Sequence, residues 1–310
     1  MSDSSCDLTI IIVSYNVREE IGRCLDSIRS ISSQISKEVL VVDNASSDHT
    51  PAFIRQKNPQ VLLKENSENI GFAAAVNQAL CLSNGELILL LNPDTIVAPG
   101  AIAHMIGFMD QNPGCGIAGA RLLNENGRPQ NSITPFPTPW RILKESLFIE
   151  KLIGLRPGPV GPQPVDAVVG ACLLARREMV CDIGGMDEGF FLYSEEVDWC
   201  QRAWLKGWEV YHLPEALVTH GLSRSSSDRP GDAFVALYRS RAYYMKKHFP
   251  WMGRWVSQAG LVLGGVLGGM LWGITSPKGT KFKQNLAVLM WYIRGAPPHG
   301  SGRPGRPDSG

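Results

Sequence analysis

An apolar run that stops on a carboxylate is the first place in this sequence where chemistry could reside: "ELILLLN" (Glu86–Asn92) leads straight into Pro93 and Asp94. Leucines at that density build a buried strand. A carboxylate at its end must be hydrated, hydrogen-bonded or bound to a cation, because burying it alone is costly. Asp94 either caps the helix that begins near Pro99 or joins the oxygen shell of Mg2+ or Mn2+, completed by water and diphosphate oxygens. A second acidic strand end, "VVDNASSD", offers Asp43, Asn44 and Asp48. These are turn- and cap-forming residue types, and Asp43 is also placed to accept a hydrogen bond from the imide N–H of a pyrimidine base. A third stretch, "NIGFAAAVN", sets Asn69, Gly71 and Asn77 around a helix start. Its alanines either let a ligand approach or pack closely against a neighbour.

The elements that must hold these residues alternate regularly. "LTIIIVSYN" (Leu8–Asn16) is a strand ending in Tyr15 and Asn16, and Val17–Ser30 places Ile21, Leu25 and Ile28 on one helical face. Strands follow at Glu38–Asn44, Val61–Asn66, Glu86–Asn92 and Cys115–Ala120, with helices at Gly71–Ser83 and Pro99–Gln111. Strand and helix alternating over short connections predict a doubly wound, mostly parallel α/β sheet flanked by helices. Ligands of such sheets sit at the carboxyl ends of strands, which is where Tyr15, Asn16, Asp43, Asn92 and Asp94 fall. Arg121 to about Pro164 reads as proline-rich surface loop with a short helix at Trp140–Ile153. Beyond it come a strand and helix in "VDAVVGACLLARREMV", a helix over Glu196–Lys206, and two short strands in "EVYHL" and "ALVTHG".

Several chemistries are excluded by what is missing. There is no GxxxxGK[ST] loop, no GxGxxG after the first strand, no HExxH and no GxSxG. Without a glycine-rich phosphate cradle, diphosphate charge falls to a metal or to basic side chains. A net charge of +1 gives no polyelectrolyte field, so nucleic acid is not expected as a partner. Seven scattered cysteines without a CxxC pair are read as reduced and structural. The polar start "MSDSSCD" lacks an apolar signal core, which points to the cytoplasm.

Seven motifs occur in order: "TIIIVSYN", "VVDNASSD", "NIGFAAAVN", "LLNPDT", "VVGACLLARR", "GGMDEGFFLYSEEVDWCQRA" and "VTHGLSRS". Together they closely resemble the family 2 inverting glycosyltransferases of the GT-A fold, in particular their rhamnosyltransferase-like bacterial branch. The resemblance implies that Asp43 contacts the base of a nucleotide-sugar donor, dTDP- or UDP-linked. "NPDT" stands where relatives carry a DxD metal motif, so Asp94 would be the one direct carboxylate ligand, with His220 beside it. Glu196 matches the general base, with Glu195 and Asp198 as alternatives. Asp187 and Glu188 resemble residues on the acceptor side, and Arg224 would support the diphosphate. Arg202, a turn or so further along, is read as a structural partner of Glu196 and Asp198. The implied reaction is a single displacement with inversion, best matched to rhamnose from dTDP-rhamnose, and it requires Asp94 and Glu196 to face one crevice.

The remainder differs in composition. Residues 1–230 are expected to form the catalytic domain, 231–294 a helical, membrane-associated region and 295–310 a disordered tail. "VSQAGLVLGGVLGGMLWGI" (Val256–Ile274) is apolar and glycine-rich, with Lys246, Lys247 and Arg254 before it and Trp251, Trp255 and Trp272 suited to an interface. A segment lying in the cytosolic leaflet would suit a polyprenyl-diphosphate-linked glycan acceptor at the inner face of the membrane. A buried helix, a dimer contact or a full span are the alternatives. Two rival functions share the sheet: a nucleotidyltransferase, which should carry a basic glycine-rich loop after the first strand, and a non-catalytic sugar-nucleotide-binding protein, which would not need "SEEVDW".

Overall fold

Strand and helix alternate from Leu8 to Gln111 as β1 (Leu8–Ser14), α1 (Arg18–Ile28), β2 (Lys37–Asp43), α2 (Thr50–Lys57), β3 (Leu62–Glu65), α3 (Phe72–Leu82), β4 (Leu87–Leu91), β5 (Thr95–Val97) and α4 (Ala101–Gln111). The rest of the chain adds β6 (Cys115–Leu123), β7 (Ile133–Thr134), α5 (Pro139–Ser146), β8 (Gln163–Pro164), β9 (Ala167–Val168), β10 (Cys172–Arg176), α6 (Arg177–Ile183), α7 (Glu195–Leu205), β11 (Glu209–His220), α8 (Pro230–His248) and α9 (Trp251–Thr275). These elements come from a computed structural model that describes residues 6–29, 31, 35–146, 161–221 and 230–275. The chain divides into two units, one of 1–136, 158–191 and 195–225, the other of 137–157, 192–194 and 226–310.

The first unit is a mixed α/β fold around a nine-stranded sheet in the order β3-β2-β1-β4-β10-β6-β11-β5, with β8 on β11. β3, β2, β1 and β4 are parallel, as the alternating pattern predicts. The sheet as a whole is mixed rather than mostly parallel, because β10 runs antiparallel between β4 and β6. The chain from β6 to β10 passes through β7, α5, β8 and β9. It comes back to the carboxyl end of β4 and enters the sheet from there, and only an antiparallel direction is open to it. β11 is one strand rather than two; its register against β6 shifts between Leu213 and Leu217, around Pro214, which has no N–H for the ladder.

β4 has neighbours on both edges, and its five buried residues in a row, which point alternately to the two faces, show that both faces of the sheet are covered there. One face of the sheet carries Ile10, Ile12, Val41, Leu89, Leu91 and Leu174. These pack with Ile21 and Leu25 of α1, Ile54 of α2, and Ile102 and Met105 of α4 in one buried cluster. α3 covers β1 and β2, and α7 packs on β9, β11 and β6. Trp199 of α7 is fully buried, and its indole N–H donates to the Gly184 carbonyl at 3.0 Å.

In the second unit α5 packs against α9. Gly260 makes that possible, since a Cβ there would lie 3.0 Å from the Leu143 side chain. Arg241 pairs with Glu145 at 3.2 Å, and the Ser240 hydroxyl donates to the Leu192 carbonyl at 2.7 Å. The opposite side of α9 leaves Trp251, Met252, Trp255, Val262 and Leu263 exposed. Among the described residues no helix is long and apolar enough to cross a membrane. The tail 295–310, and the helix expected over Trp140–Ile153 beyond Ser146, lie outside the described residues.

Candidate active site

The carboxyl ends of β1 and β2 are tied together by acidic and amide side chains. Asp43, at the end of β2, is 1% exposed. Its Oδ1 accepts the Ser46 N–H at 2.9 Å and its Oδ2 the Ser14 hydroxyl at 3.2 Å. Each carboxylate oxygen keeps a lone pair for a further donor. Asn16 accepts the Ser47 N–H at 2.7 Å, while Tyr15 stands exposed beside it. Asn44 donates to the Gly71 carbonyl at 3.1 Å and accepts from Asn66 at 2.9 Å. Asn69 accepts the Gly71 N–H at 3.0 Å. Gly71 is required twice over: its φ is +91°, and a Cβ would meet the Phe191 carbonyl oxygen at 2.7 Å.

Asp48 is placed beside this cluster but is already committed. Its carboxylate accepts the Arg18 N–H at 3.0 Å, the Thr50 N–H at 3.1 Å and the Thr50 hydroxyl at 2.5 Å. Burial pushes its pKa up, yet these hydrogen bonds outweigh burial and hold the carboxyl below its usual value. Asn77, carried with Asn69 and Gly71 as a nucleotide-sugar-binding candidate, is likewise committed. Both its N–H groups are used, on the Met186 carbonyl at 2.8 Å and Glu188 at 2.9 Å, and its Oδ1 accepts the Met186 N–H at 2.9 Å. It is a clamp that holds the 185–188 segment on α3. Glu188, expected on the acceptor side, is one jaw of that clamp, and Asp187 accepts the Gly189 N–H at 2.8 Å within its own turn.

Asp94 follows β4 directly and is buried. Its Oδ1 lies 3.5 Å from His220 Nε2, and its Oδ2 has no hydrogen-bond partner among the described residues. His220 ends β11 opposite Thr95. Asn92 Nδ2 lies 3.4 Å from the same ring nitrogen, and Gln130 meets the other one, Nδ1, at 3.1 Å. Gln130 was hidden in the proline-rich stretch that reads as surface loop; no local pattern marks it. No three of His, Cys, Asp and Glu form a cage among the described residues. An orphaned carboxylate oxygen beside an imidazole nitrogen nevertheless fits a divalent cation whose remaining ligands are water or diphosphate. Arg224 lies outside the described residues.

Three carboxyl groups crowd the first turn of α7, where the helix dipole favours negative charge. They are not equivalent. Asp198 is fully buried and accepts from Arg202 Nε at 2.9 Å. The same guanidinium donates to the carbonyls of Ile183 and Gly185, both at 2.7 Å, so this pair is architectural. Glu195 is buried with Oε2 unpartnered. Burial, then the charge of Glu196, push its pKa well above the usual carboxylate range. Glu196 is half-buried, its Cβ 3.5 Å from where a Cβ on Gly170 would stand. Tyr193 and Ser194, directly before Glu195, hold positive φ of 72° and 68°. The other non-glycine positive φ values among the described residues are at Asn16, Ala45 and His49. All of this backbone strain thus collects in the loops after β1 and β2 and before α7, as it does at functional sites.

Asp94 and Glu196 belong to the same end of the sheet. The Ala171 carbonyl accepts the Asn92 N–H at 2.9 Å, and Gly170, one residue earlier, is the one that adjoins Glu196. The residues just before β10 thus lie between the "NPD" turn and the start of α7. A small hollow beside Asp94 is lined by Glu20, Arg23, Thr95 and Glu125; Glu196 is not on its wall.

Residues 9–184 match the family model "Glycosyl transferase family 2". The chain is 26% identical to the N-acetylglucosaminyl-diphospho-decaprenol L-rhamnosyltransferase of Mycobacterium tuberculosis, over 83% of this chain and 91% of that one. It is 31% identical to the low-salt glycan biosynthesis hexosyltransferase Agl10 of Haloferax volcanii, over 64% of this chain and 61% of that one. In fold it is similar to the mannosyltransferase PcManGT from Pyrobaculum calidifontis, solved with GDP-Man and Mn2+, at a TM-score of 0.56 and 17% identity over 93% of this chain and 86% of that one. S. aureus TarS 1–349 is similar at a TM-score of 0.52 and 14% identity, over 93% and 91%.

Proposed function

The chain belongs to glycosyl transferase family 2, and from that premise we propose that it moves a sugar from a nucleotide-sugar to a hydroxyl of a glycan acceptor with inversion, rhamnose from dTDP-rhamnose being the favoured donor. The relative named as a rhamnosyltransferase acting on a diphospho-decaprenol-linked sugar supports both that donor and a polyprenyl-diphosphate-linked acceptor. The observation that carries the reading is the shared position of Asp94 and Glu196, joined through Asn92, Ala171 and Gly170.

Glu196 takes the proton of the acceptor hydroxyl onto its carboxylate as that oxygen bonds the anomeric carbon. General-base help of this kind contributes about 10²–10⁴-fold. Burial and then the charge of Glu196 push the Glu195 pKa well above its usual range, which favours its neutral form and leaves the more exposed Glu196 as the better placed proton acceptor. Asp43 accepts the imide N–H of the base through a remaining lone pair, while Asn16, Asn44 and Asn69 hold the surrounding loops in shape. Asp94 and His220 would hold Mg2+ or Mn2+, which supplies charge neutralisation for the departing nucleoside diphosphate. No carboxylate nucleophile is needed, because a single displacement inverts directly.

The exposed Trp251, Met252 and Trp255 of α9, with Lys246 and Lys247 exposed just before them, suit an anionic membrane surface on the cytoplasmic side. The test is turnover of dTDP-rhamnose, UDP-sugars and GDP-mannose with a polyprenyl-diphosphate-linked acceptor, with and without Mn2+, in wild type and Glu196→Gln. Donor-dependent product from wild type, lost in Glu196→Gln while dTDP still binds, is the expected outcome. Product at wild-type rate from the variant removes Glu196 from the mechanism. Cleavage of a nucleoside triphosphate with a sugar phosphate would favour the nucleotidyltransferase instead.

A further inference from the structure

We propose that Gln130 is a positioning residue that fixes His220 in one tautomer, with the proton on Nδ1 and the Nε2 lone pair turned toward Asp94 as a ready cation ligand; the inference rests on the cation reading just given. Two contacts define it. Gln130 Nε2 donates to the His220 carbonyl at 2.8 Å, and Gln130 Oε1 lies 3.1 Å from His220 Nδ1. A backbone carbonyl can only accept, so the amide nitrogen must be the atom that faces it. That leaves the amide oxygen, also only an acceptor, against Nδ1, and Nδ1 must then carry the hydrogen.

The consequence appears on the other side of the ring. With Nδ1 protonated, the neutral imidazole presents a bare Nε2. This nitrogen lies 3.5 Å from Asp94 Oδ1, and it cannot donate there. Asn92 Nδ2, at 3.4 Å, is its one donor neighbour among the described residues, and the contact is long enough to yield to a cation. Asp94 Oδ2 is buried with no partner among the described residues. Among the described residues, a nitrogen lone pair with one long contact and a carboxylate oxygen without a partner therefore converge. Gln130 and His220 stand 90 residues apart in sequence, and one amide spans the ring and the backbone of the same histidine, which locks both its position and its rotation. An imidazole ligand also tilts the site toward Mn2+ over Mg2+.

The experiment uses the full chain without added nucleotide. Nitrogen-15 NMR of the metal-free protein reads the His220 tautomer, and the electron paramagnetic resonance of free Mn2+ reads binding. The expected results are an Nδ1–H ring in wild type, redistribution toward Nε2–H in Gln130→Met, and Mn2+ affinity weaker by about 10–100-fold in that variant. Gln130→Asn, polar but one methylene too short to reach both His220 atoms, should weaken Mn2+ similarly, so the outcome does not hang on one variant's folding. A wild-type ring protonated on Nε2, or Mn2+ bound equally by wild type and both Gln130 variants, overturns the inference and leaves the cation assignment standing. Mn2+ bound equally by wild type and Asp94→Asn, or not bound by wild type at all, overturns the cation assignment and the inference with it.

Discussion

Replacing the two neighbouring glutamates one at a time by glutamine should give opposite results. Glu196→Gln removes a partly exposed carboxylate at the start of α7, and with it the proposed proton acceptor. The loss expected in kcat is about 10²–10⁴-fold, which is about 3–5 kcal/mol of transition-state stabilisation. Glu195→Gln replaces a carboxyl whose pKa burial and then the Glu196 charge push well above the usual range, toward the neutral acid. Glutamine matches the neutral acid in shape, so kcat should stay within about tenfold of wild type. Stability separates the two further. Glu195 binds its proton more tightly folded than unfolded, so its contribution is complete below its unfolded pKa of about 4.3 and is lost as pH rises toward its raised folded value. Urea unfolding across pH should therefore show a wild-type decline above that point, and Glu195→Gln should flatten it. Steady-state product formation and the unfolding series together decide the matter. A Glu195→Gln enzyme slowed a hundredfold beside an active Glu196→Gln would reverse the two roles.

Other substitutions probe the frame around the site. Asp198→Ala leaves the Arg202 guanidinium without its carboxylate beside α7 and should reduce stability by about 3 kcal/mol in chemical denaturation. His212 is 2% exposed with both ring nitrogens unpartnered among the described residues. Burial and then Arg121 lower its pKa from 6.5 to about 4, so it favours the folded state fully above its unfolded pKa. That stability, at most about 3 kcal/mol, should disappear as pH falls from about 6.5 to 4, and His212→Phe should remove this part of the acid sensitivity in thermal melts. Gly71→Ala meets the Phe191 carbonyl and an unfavourable φ together. It should lower stability by about 1–3 kcal/mol and raise the KM for the donor, measured by initial rates.

The parallel half of the sheet was legible because each strand there is followed by an amphipathic helix, and that local alternation dictates direction. β10 was legible as a strand but not as an antiparallel one. Its direction depends on where an irregular segment returns, and no nearby residue encodes that. Asp94 and Asp43 stood out because carboxylates ending apolar runs are conspicuous. The clamp made by Asn77 was not legible for the opposite reason: its partner Met186 is 109 residues away, so nothing among its neighbours reveals it. The ranking of Glu195, Glu196 and Asp198 depends on burial within one helical turn, and three adjacent acids look alike until packing separates them.

Strand β10 enters the sheet from the crevice end, and this separates two kinds of evolutionary freedom. The chain between Thr134 and Ala167 is pinned at both ends by the short ladder of β7 on β9, and it leaves out Gln130. Loop closure between fixed points grows only slowly with length. Insertions or deletions in that stretch can therefore vary its surface while leaving the Gln130–His220 contact, and the spacing of Asp94 from α7, undisturbed. A swap of this segment between homologues should thus leave nucleotide choice intact.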